Sequence, residues 1–574
     1  MHRRVLAFDF DGTLAEHGSV PPALQTALEQ LRAAGYVLFL VTGRQFEGVA
    51  LGPLGDVFTG IAWENGAVLY HTAAREVYLP FGVVDRRLVA ALEAAKVPLE
   101  YGRAIVSTWT PHYETVWRVL NGWGSDAAVV PNKGAVMILP AGAAKGAGLE
   151  RLLGICGFSP RNLVAFGDGE NDLSLLKLGE FGVAVADAVP SLKAMADLVT
   201  TQPGPAGVLE ALETYWLKGH PPNIPLRRER QVPLGEDEAG VPVSLPGAAL
   251  AGKNLGVFGD SSSGKSWVTG LLAEGMHFAG YQTLLIDAEG DFRGLRGLPG
   301  IVALEGNQQT LPSPAFVMAL LETATVSVVL DLCDYRVIHR VEYVADLLRA
   351  LYSLRQRKFR PHWIVLEEAQ HFLPPHGNAV SNTLLPMLAG GGWAFVSYRP
   401  DRLVVPVLKA LNYHLLTRLS EPEAVQTVRQ TLGPLLEQSP AHIAPGYAWL
   451  CGQRLVRLRS NGRRVLHVRH LYKYLDTPLP KHKRFYFCNE QGCLGLEAAS
   501  LFEFLQCLPS LPVESLAYHQ ARGDFAAWVG GALGHSELAA HLRKLAHRPL
   551  KGEALREALL QRVTICYQEL QAIR

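Results

Sequence analysis

Residues 256–267 read GVFGDSSSGKSW, and the segment GDSSSGKS within them satisfies the pattern G-x-x-x-x-G-K-[ST]. The apolar run NLGVF precedes this pattern as a strand and WVTGLLAEGMHFAG follows it as a helix, the context that a phosphate-binding loop requires. In such a loop, backbone amides surround the phosphates, the lysine reaches the terminal phosphates and the hydroxyl holds magnesium. The residues predicted to bind a nucleoside triphosphate are Gly259, Ser263, Gly264, Lys265 and Ser266.

An acidic pair follows a second apolar strand. The stretch HWIVLEEAQHFLPP places Glu367 and Glu368 directly after that strand, where a hydrolysing ATPase needs an acid to position the metal and the attacking water. A small-molecule kinase would instead typically have an arginine-rich lid, and the sequence has no segment of that kind. The pattern therefore favours an ATPase.

The same part of the chain resembles the HerA and FtsK group of P-loop ATPases over about residues 233–460. The resemblance rests on GDSSSGKS, LLIDAEGDF at 284–292, LEEAQHF, and WAFVSYRPDRL followed by YHLLTRLSEPEA. It implies ATP as ligand, a homo-oligomer such as a hexameric ring, Glu368 as catalytic carboxylate and Glu367 where many relatives have aspartate. It also implies that Arg418 acts in trans on a neighbour's nucleotide. The chain departs from the family at two points. Tyr398 stands where relatives commonly have glutamine, which argues against sensing of the terminal phosphate, and the N-terminal barrel of HerA is missing. Translocation of DNA is therefore less strongly implied than ATP binding.

A second set of polar residues lies near the start of the chain. RVLAFD at 4–9 and YVLFLVTGR at 36–44 are predicted strands around a helical segment, and LVAF precedes GDGENDLSLL at 167–176 as a third strand. Alternating strands and helices predict a parallel, doubly wound sheet whose ligands gather at the carboxyl ends of its strands. The residues expected at that edge are Asp9, Asp11, Thr42, Gly43, Asp168, Asn171 and Asp172.

Carboxylates that converge at one edge would repel each other unless a cation lay among them. Oxygen ligands are typical of a hard divalent ion, which points to Mg²⁺. Its predicted ligands are Asp9, Asp11, Asp168 and Asp172. Asp9 is the predicted nucleophile, and Asp11 is predicted to protonate the leaving oxygen and then to activate water. Thr42 offers the phosphate a hydroxyl, and Lys145 offers it a positive charge.

These motifs resemble the haloacid dehalogenase superfamily, specifically its Cof-like and sugar-phosphatase branch, over about residues 1–215. The matching segments are DFDGT, TGR, ENGA at 64–67, the lysine of AAKGAGL, and GDGENDLSLL, in the family's order and spacing. The resemblance implies a phosphatase with a small inserted α+β cap that covers the site.

Composition changes predict the domain boundaries. Residues 1–217 form the phosphatase, with a core at 1–76 and 141–217 and a cap at 77–140. A segment rich in proline, glycine and charge at 218–235 is the predicted linker, followed by the ATPase domain at 236–475 and a helical domain at 485–574. The helical domain has no catalytic constellation and is interpreted as a docking or oligomerisation element.

The charge balance argues against a general attraction to nucleic acid or membranes. Lysine and arginine number 54, against 53 aspartates and glutamates. A basic stretch at 454–470, interpreted as a hairpin around Asn461-Gly462, either grips nucleic-acid phosphates or forms a solvated sheet edge, which we favour.

Localisation is predicted from the apolar segments and the cysteines. No run of about eighteen uncharged apolar residues is present, so the protein is expected to be cytoplasmic and to have no membrane partner. The seven cysteines suit a reducing compartment. Cys488 and Cys493 are interpreted as buried thiols or as half of a metal site.

The sequence thus predicts a Mg²⁺-dependent phosphatase that acts through an aspartyl phosphate on a small phosphorylated metabolite, a sugar phosphate or a nucleotide. A ring-forming ATPase domain is coupled to it. Two alternatives remain open: a nucleic-acid translocating or processing ATPase with an accessory phosphatase, and a bifunctional kinase and phosphatase.

Overall fold

The protein is described by a computed structural model. It covers residues 4–46, 51–132, 134–219, 230–261, 263–305, 310–333, 335, 337–360, 362–433, 436, 438–465, 475, 479, 483–533 and 535–573. The chain divides into two units. The first consists of Met1–Ile286, Gly300–Leu330 and Asp334–Asn461, and the second of Asp287–Pro299, Asp331–Cys333 and Gly462–Arg574.

The N-terminal part of the first unit alternates strands and helices as the sequence predicts. Its elements are β1 (Val5–Asp9), α1 (Pro22–Ala33), β2 (Val37–Val41), β3 (Gly60–Trp63), β4 (Val68–His71), β5 (Glu76–Tyr78), α2 (Arg86–Ala94), β6 (Glu100–Tyr101), β7 (Val106–Trp109), α3 (Tyr113–Trp123), β8 (Ala128–Asn132), β9 (Ala135–Leu139), α4 (Lys145–Cys156), β10 (Leu163–Gly167), α5 (Leu173–Leu178), β11 (Phe181–Ala184), α6 (Pro190–Met195), β12 (Leu198–Val199) and α7 (Gly204–Ala211).

An eight-stranded sheet in the order β12-β11-β10-β1-β2-β3-β4-β5 forms the core of this part. Strand β1 pairs in parallel with β10 on one side and with β2 on the other, and Val5 is level with both Leu163 and Val37. Every residue of β1 and β2 is buried, which explains their nearly continuous apolar sequence. This register brings the carboxyl ends of the three strands to one edge.

A smaller antiparallel sheet in the order β6-β7-β9-β8 is inserted between β5 and α4. Helices α2 and α3 bury their apolar stripes in a separate core with this sheet, which includes Leu88, Leu92, Val116, Leu120 and Ile138. The insertion therefore has its own core and is an α+β cap of the kind the resemblance implies.

The second half of the first unit contains a larger sheet. Its elements are β13 (Gln231–Asp237), β14 (Pro242–Pro246), α8 (Gly247–Gly252), β15 (Leu255–Phe258), α9 (Lys265–Phe278), β16 (Thr283–Asp287), β17 (Ile301–Glu305), α10 (Pro314–Glu322), β18 (Ser327–Asp331), α11 (Val337–Lys358), β19 (Trp363–Leu366), α12 (Ala379–Leu384), β20 (Trp393–Ser397), α13 (Val405–Lys409), β21 (Tyr413–Leu416), α14 (Pro422–Leu432), β22 (Tyr447–Cys451) and β23 (Leu455–Ser460).

These strands form an eleven-stranded sheet in the order β14-β13-β23-β22-β21-β15-β20-β19-β16-β18-β17. The strands from β21 to β16 run parallel to one another, with β15 between β21 and β20. Strands β22, β23, β13 and β14 extend the sheet in antiparallel fashion. The parallel part carries both the glycine loop after β15 and the acidic pair after β19.

Two predictions in this region were wrong in detail. Strand β13 begins at Gln231, inside the predicted linker. The sequence did not predict this strand because Pro233, which lies at a bulge, interrupts the strand pattern. The linker residues 220–229 lie outside the described residues. Strand β23 is an interior strand that forms its hairpin with β22, so the part of the basic stretch at Leu455–Ser460 is not a sheet edge. Its residues 466–470, Arg469 among them, are also outside the described residues.

Arg457, which lies in β23, makes contacts within its own sheet. Its guanidinium lies 5.4 Å from the centroid of the Trp449 ring and 3.5 Å from Oε1 of Glu238. Arg457 therefore has a structural role within its sheet that does not require nucleic acid.

The second unit contains β24 (Phe485–Asn489), β25 (Gly492–Ala498), α15 (Leu501–Cys507), α16 (Val513–Arg522), α17 (Asp524–Gly531), α18 (Ser536–Ala546) and α19 (Glu553–Ile573). The prediction of helices from residue 485 onward missed the hairpin β24–β25, in which Phe485 and Phe487 are buried and Tyr486 is exposed. Cys488 and Cys493 lie opposite each other in this hairpin and form a disulfide, so neither interpretation of these two cysteines was right. Among the described residues, no helix is both long and apolar enough to cross a bilayer.

Candidate active sites

Three carboxylates, of which Asp9 and Asp172 are buried and Asp168 is half-buried, meet at the carboxyl edge of the N-terminal sheet. Asp9 ends β1, Asp168 follows β10, and Asp172 lies four residues later in the turn that leads into α5. One oxygen from each lies within 4.8 Å of the others. All the donors are carboxylate oxygens, the type that a hard divalent cation prefers, so these three residues fit a Mg²⁺ site.

Lys145, the first residue of α4, joins two of these carboxylates. Its Nζ donates to Oδ1 of Asp9 at 2.5 Å and to Oδ1 of Asp172 at 2.7 Å. Burial, followed by the charge of Asp172, raises the pKa of Asp9 well above the usual range, although Lys145 opposes the shift. Burial alone would lower the pKa of Lys145, but the charges of Asp172 and Asp9 outweigh it and raise that pKa.

The turn around Asp172 is fixed by its own backbone. Oδ2 of Asp172 accepts hydrogen bonds from the amides of Asp168 at 3.0 Å and Gly169 at 2.9 Å. A Cβ at Gly167 would lie 2.6 Å from the Cβ of Asp172, closer than real Cβ atoms approach each other. Glycine at position 167 is therefore required for this carboxylate to reach Lys145.

Asp11 pairs with a different cation from the one that Asp9 and Asp172 contact. Its carboxylate receives a bidentate ion pair from Arg44, with Nε at 2.8 Å and Nη2 at 2.6 Å, and is partly exposed. The Arg44 guanidinium also lies 5.2 Å from the centroid of the Phe10 ring. Sequence reasoning placed Asp11 among the metal ligands and gave Arg44 no role, although the TGR motif contains it. The structure pairs the two side chains, and the role of Asp11 as a metal ligand stays a prediction.

Thr42, Gly43 and Asn171 lie around the same edge. Thr42 is fully buried, and its Oγ1 accepts a hydrogen bond from the Arg44 amide at 3.1 Å. A Cβ at Gly43 would lie 3.3 Å from Oδ1 of Asn65, the same oxygen that accepts a hydrogen bond from Asn171 Nδ2 at 3.2 Å. Asn65 thus connects two predicted phosphate-site residues, and sequence reasoning missed its role.

The neighbouring Glu64 joins the core to the cap. Its Oε1 accepts from the amide of Arg103 at 2.7 Å, and its Oε2 accepts from those of Ala104 at 2.8 Å and Ile105 at 3.2 Å. The ENGA motif was the signal for both Glu64 and Asn65, but spacing alone did not indicate these contacts. Glu64 holds one cap loop at the site.

The phosphate-binding loop lies between β15 and α9. Nζ of Lys265 donates to the carbonyl of Asp260 at 3.0 Å, and Oγ of Ser263 donates to the same carbonyl at 2.7 Å. Gly264 has φ +102°, a left-handed conformation that favours glycine. A Cβ at Gly259 would lie 1.9 Å from Oγ1 of Thr417, so this loop requires glycine there as well. Ser266, the second residue of α9, is buried beside them.

The acidic pair follows β19 in a strained turn. Glu367 is buried, and its amide donates to the carbonyl of Ile286 at 3.0 Å. Glu368 has φ +49°, which is unusual for a residue other than glycine. Its Oε2 accepts a hydrogen bond from Gln370, whose Oε1 in turn accepts from Oγ of Ser397 at 2.6 Å. The motif LEEAQHF contains Gln370, but the sequence analysis assigned no role to Gln370 or to Ser397.

Arg418 and Tyr398 both lie beside this loop in their own chain. Nε of Arg418 is 3.7 Å from Oδ2 of Asp260, and the carbonyl of Arg418 accepts a hydrogen bond from the Asp260 amide at 2.7 Å. Nζ of Lys265 lies 6.0 Å from the centroid of the Tyr398 ring. The action of Arg418 in trans stays a prediction.

Comparison with known proteins agrees with this architecture. The profile of the haloacid dehalogenase-like hydrolases matches residues 6–79 and 120–212, and that of the helicase HerA central domain matches residues 232–337. The phosphoglycolate phosphatase of Methanothermobacter thermautotrophicus is 30% identical over 223 residues, which cover 37% of this chain and 98% of the relative. That of Natronomonas pharaonis is 32% identical over 222 residues, covering 36% and 96%.

A solved HAD subclass IIB sugar phosphatase is 22% identical and covers 37% of this chain and 99% of that chain, with a TM-score of 0.33. From the profile matches and the two relatives, the chain belongs to the haloacid dehalogenase-like hydrolases through its N-terminal part and carries a HerA-type ATPase domain after it. It combines a phosphoric monoester hydrolase with an ATPase in one polypeptide, and both family resemblances seen in the sequence are confirmed.

Proposed function

We propose that this protein is a Mg²⁺-dependent phosphatase of small phosphorylated metabolites whose activity is coupled to ATP binding and hydrolysis in the same chain. The observation that carries the phosphatase part is the meeting of buried Asp9, Lys145 and Asp172 with half-buried Asp168 at one sheet edge. The ammonium of Lys145 bridges two of the three carboxylates, so the group retains negative charge for a divalent cation. When bound there, Mg²⁺ would neutralise charge on the nucleophile and on the phosphoryl group.

The residues support a two-step displacement. An oxygen of Asp9 attacks phosphorus, the bond from phosphorus to the ester oxygen breaks, and that oxygen takes a proton from Asp11 in its carboxylic acid form. The carboxylate that remains on Asp11 is the form that pairs with Arg44. Asp11 then removes a proton from a water molecule, whose oxygen attacks the aspartyl phosphate and releases inorganic phosphate and the Asp9 carboxylate. Lys145 holds Asp9 in place through its 2.5 Å contact, and Arg44 holds Asp11 through its two hydrogen bonds.

The substrate class follows from the relatives and the cap. Two relatives are phosphoglycolate phosphatases, and Glu64 ties the cap to the core. We propose that this cap, a small sheet with two helices, covers the site. A compact phosphate monoester, such as 2-phosphoglycolate or a sugar phosphate, suits such a cover better than a polymer end.

In the second site, Lys265 would hold the terminal phosphates of ATP, and Ser266 would hold its Mg²⁺. Glu368 would accept a proton from the water whose oxygen attacks the terminal phosphorus, while the bond to ADP breaks. The contacts through Gln370 to Ser397 fix the orientation of Glu368. We further propose a homo-oligomer, with a hexameric ring as the form typical of HerA-type ATPases.

The match to a helicase domain favours one second candidate, a nucleic-acid processing enzyme with an accessory phosphatase. Both candidates are tested by phosphate release from 2-phosphoglycolate, sugar phosphates and nucleotides, with and without ATP, in wild type, Asp9→Asn and Lys265→Ala. The proposal expects release that is lost in Asp9→Asn and that changes with ATP only when Lys265 is present. Release confined to DNA ends, together with DNA-stimulated ATP hydrolysis, would favour the second candidate instead. Transfer of the ATP phosphate to an acceptor would indicate a kinase.

A further inference from the structure

A three-residue turn of the ATPase part, Lys358 to Arg360, lies against the phosphatase part within the first unit. This turn connects α11 to β19. Nζ of Lys358 donates to the carbonyl of Cys156 at 3.0 Å, and Nη2 of Arg360 donates to the carbonyl of Gly157 at 2.5 Å. In the opposite direction, Nδ2 of Asn162 donates to the carbonyl of Lys358 at 3.1 Å. The turn is therefore held by both backbone and side-chain contacts.

Each contacted residue borders an element that carries a catalytic-site residue at its other end. Cys156 ends α4, whose first residue is Lys145. Asn162 directly precedes β10, and Asp168 directly follows that strand. One short turn thus contacts the far ends of two elements that supply the phosphatase site.

A third element reaches the same turn. Arg4 directly precedes β1, which ends at Asp9, and its guanidinium lies 5.5 Å from the centroid of the Phe359 ring. The same guanidinium lies 5.3 Å from the centroid of the Tyr36 ring. Phe359 packs against the phosphatase core. The turn therefore contacts the far ends of all the elements that carry Asp9, Lys145 and Asp168.

On its other side, the turn is anchored in the ATPase part. Nη1 of Arg360 donates to Oε1 of Gln282 at 3.1 Å and to the carbonyl of Leu321, and Nη2 also donates to that of Glu322. Arg360 is fully buried, and burial lowers its pKa to about 10, so it stays charged at neutral pH. Removing the Arg360 guanidinium would leave the carbonyls that accept its hydrogen bonds without a partner for those bonds, which is costly for a buried group.

The turn is also close in the chain to the ATPase site. Strand β19 begins at Trp363, three residues after Arg360, and the acidic pair Glu367 and Glu368 follows its last residue. All residues of β19 are buried, and the strand is paired on both sides. A displacement at Glu368 therefore has a short path through β19 to His362, whose amide donates to the carbonyl of Arg360 at 2.9 Å.

Tyr281 and Arg230 of the ATPase part form a second contact between the two parts, with a buried ion pair of the phosphatase part. Nη1 of Arg161 lies 2.7 Å from Oε2 of Glu180 within the phosphatase part. The hydroxyl of Tyr281, in the ATPase part, donates to the other oxygen of Glu180, and Arg230 lies 3.7 Å from Oε2. Arg161 and Glu180 are both about 7% exposed at their side chains. This contact holds the two parts together independently of the Lys358–Arg360 turn.

We propose that the Lys358–Arg360 turn transmits the nucleotide state of the ATPase site to the phosphatase site. This inference rests on the proposed function and names its regulation. When Glu367 and Glu368 close on a nucleotide, β19 shifts the turn, and the turn shifts α4, β10 and β1 from their far ends. The distances from Lys145 to Asp9 and Asp172 then change, and a shift of about 1 Å at a reacting group is enough to change a rate about 100-fold.

The test uses the full chain with p-nitrophenyl phosphate as the phosphatase probe, with and without a non-hydrolysable ATP analogue. The measured quantity is the ratio of the two kcat values. Lys358→Met removes the hydrogen bond to Cys156 and the contact of Nζ with the Phe158 ring, whose centroid lies 5.0 Å away. Asn162→Ala removes one hydrogen bond, and neither residue belongs to a catalytic site. Arg357→Met is the matched control, because Arg357 lies at the end of the same helix but pairs with Glu322 on the surface at 3.3 Å. Melting curves check that each variant is folded.

We expect the wild-type ratio to differ from one by about 5-fold or more, the usual lower range of coupling between sites. It should fall toward one in Lys358→Met and Asn162→Ala and stay at the wild-type value in Arg357→Met. ATP hydrolysis and basal phosphatase activity should persist in all three variants. Persistence of the wild-type ratio in both turn variants overturns the inference, and so does a wild-type ratio of one. If no hydrolysis of p-nitrophenyl phosphate depends on Asp9, the proposed phosphatase activity itself is refuted instead.

Discussion

Replacing Lys145 by methionine removes the positive charge that lies between two buried carboxylates. In the wild type, Nζ lies 2.5 Å from Asp9 and 2.7 Å from Asp172, and all three side chains are almost fully buried. Breaking a buried ion pair on one side leaves an uncompensated charge and costs about 3–5 kcal/mol. For a domain of this size, about 2–4 °C per kcal/mol gives a fall in the melting midpoint on the order of 10 °C.

The sign of the pH dependence follows from Asp9. Its folded-state pKa is already raised by burial and by Asp172, and Lys145 is the group that opposes the rise. Without Lys145 that pKa rises further, so ionised Asp9 opposes folding more strongly. The contribution of protonated Asp9 to the stability of the fold is fully present below the ordinary carboxylate pKa, about 4. It is lost as the pH rises through the pKa that Asp9 has in the folded state. Lys145→Met should therefore be destabilised more at pH about 8 than at pH about 5.

The assay is differential scanning calorimetry of the full chain in metal-free buffer at both pH values. Lys177→Met is the control, because Lys177 is an exposed lysine of the same part of the chain. With Mg²⁺ present, kcat of Lys145→Met should also fall by about 10²–10³-fold. A melting midpoint equal to that of the wild type at both pH values would refute the placement of Lys145 between the carboxylates.

Three further changes test the two sites. Gly167→Ala should lower kcat by at least about 10-fold, since its Cβ would lie 2.6 Å from that of Asp172 and displace it; wild-type kinetics would contradict the close approach of these two residues. Arg44→Met should lower kcat by about 10²-fold with a smaller change in KM, because Asp11 loses both hydrogen bonds that orient it; an effect on KM alone would point to substrate binding. Glu368→Gln should retain ATP binding but lose about 10²–10³-fold in hydrolysis, and unchanged turnover would exclude it as the catalytic base.

The parts of the fold that sequence could predict are those set by local patterns. The buried strands β1, β2 and β10 are apolar runs followed by polar residues, and this pattern alone placed Asp9, Thr42 and Asp168 at one edge. The glycine loop and its flanking strand and helix could also be predicted, because a short motif there specifies both the backbone conformation and the phosphate-binding side chains.

The parts that sequence could not predict depend on contacts between distant residues. The spacing of residues along the chain does not predict the pairing of Asp11 with Arg44, since an acid that pairs with an arginine and an acid that binds a metal look alike in a sequence. The Lys358–Arg360 turn resembles the solvated end of a helix, and only the folded structure shows Arg360 fully buried. Strand β13 was hidden by Pro233, and the hairpin β24–β25 by the helical pattern that follows it.

The most direct test of the central proposal is whether Asp9 becomes phosphorylated. The full chain is mixed with 2-phosphoglycolate and Mg²⁺, quenched with acid within one turnover, and digested for mass spectrometry. We expect the peptide that contains Asp9 to gain the mass of one phosphoryl group, and this gain to be absent in Asp9→Asn. Phosphate release from the wild type with no phosphorylated Asp9 peptide at any quench time would contradict the proposed mechanism.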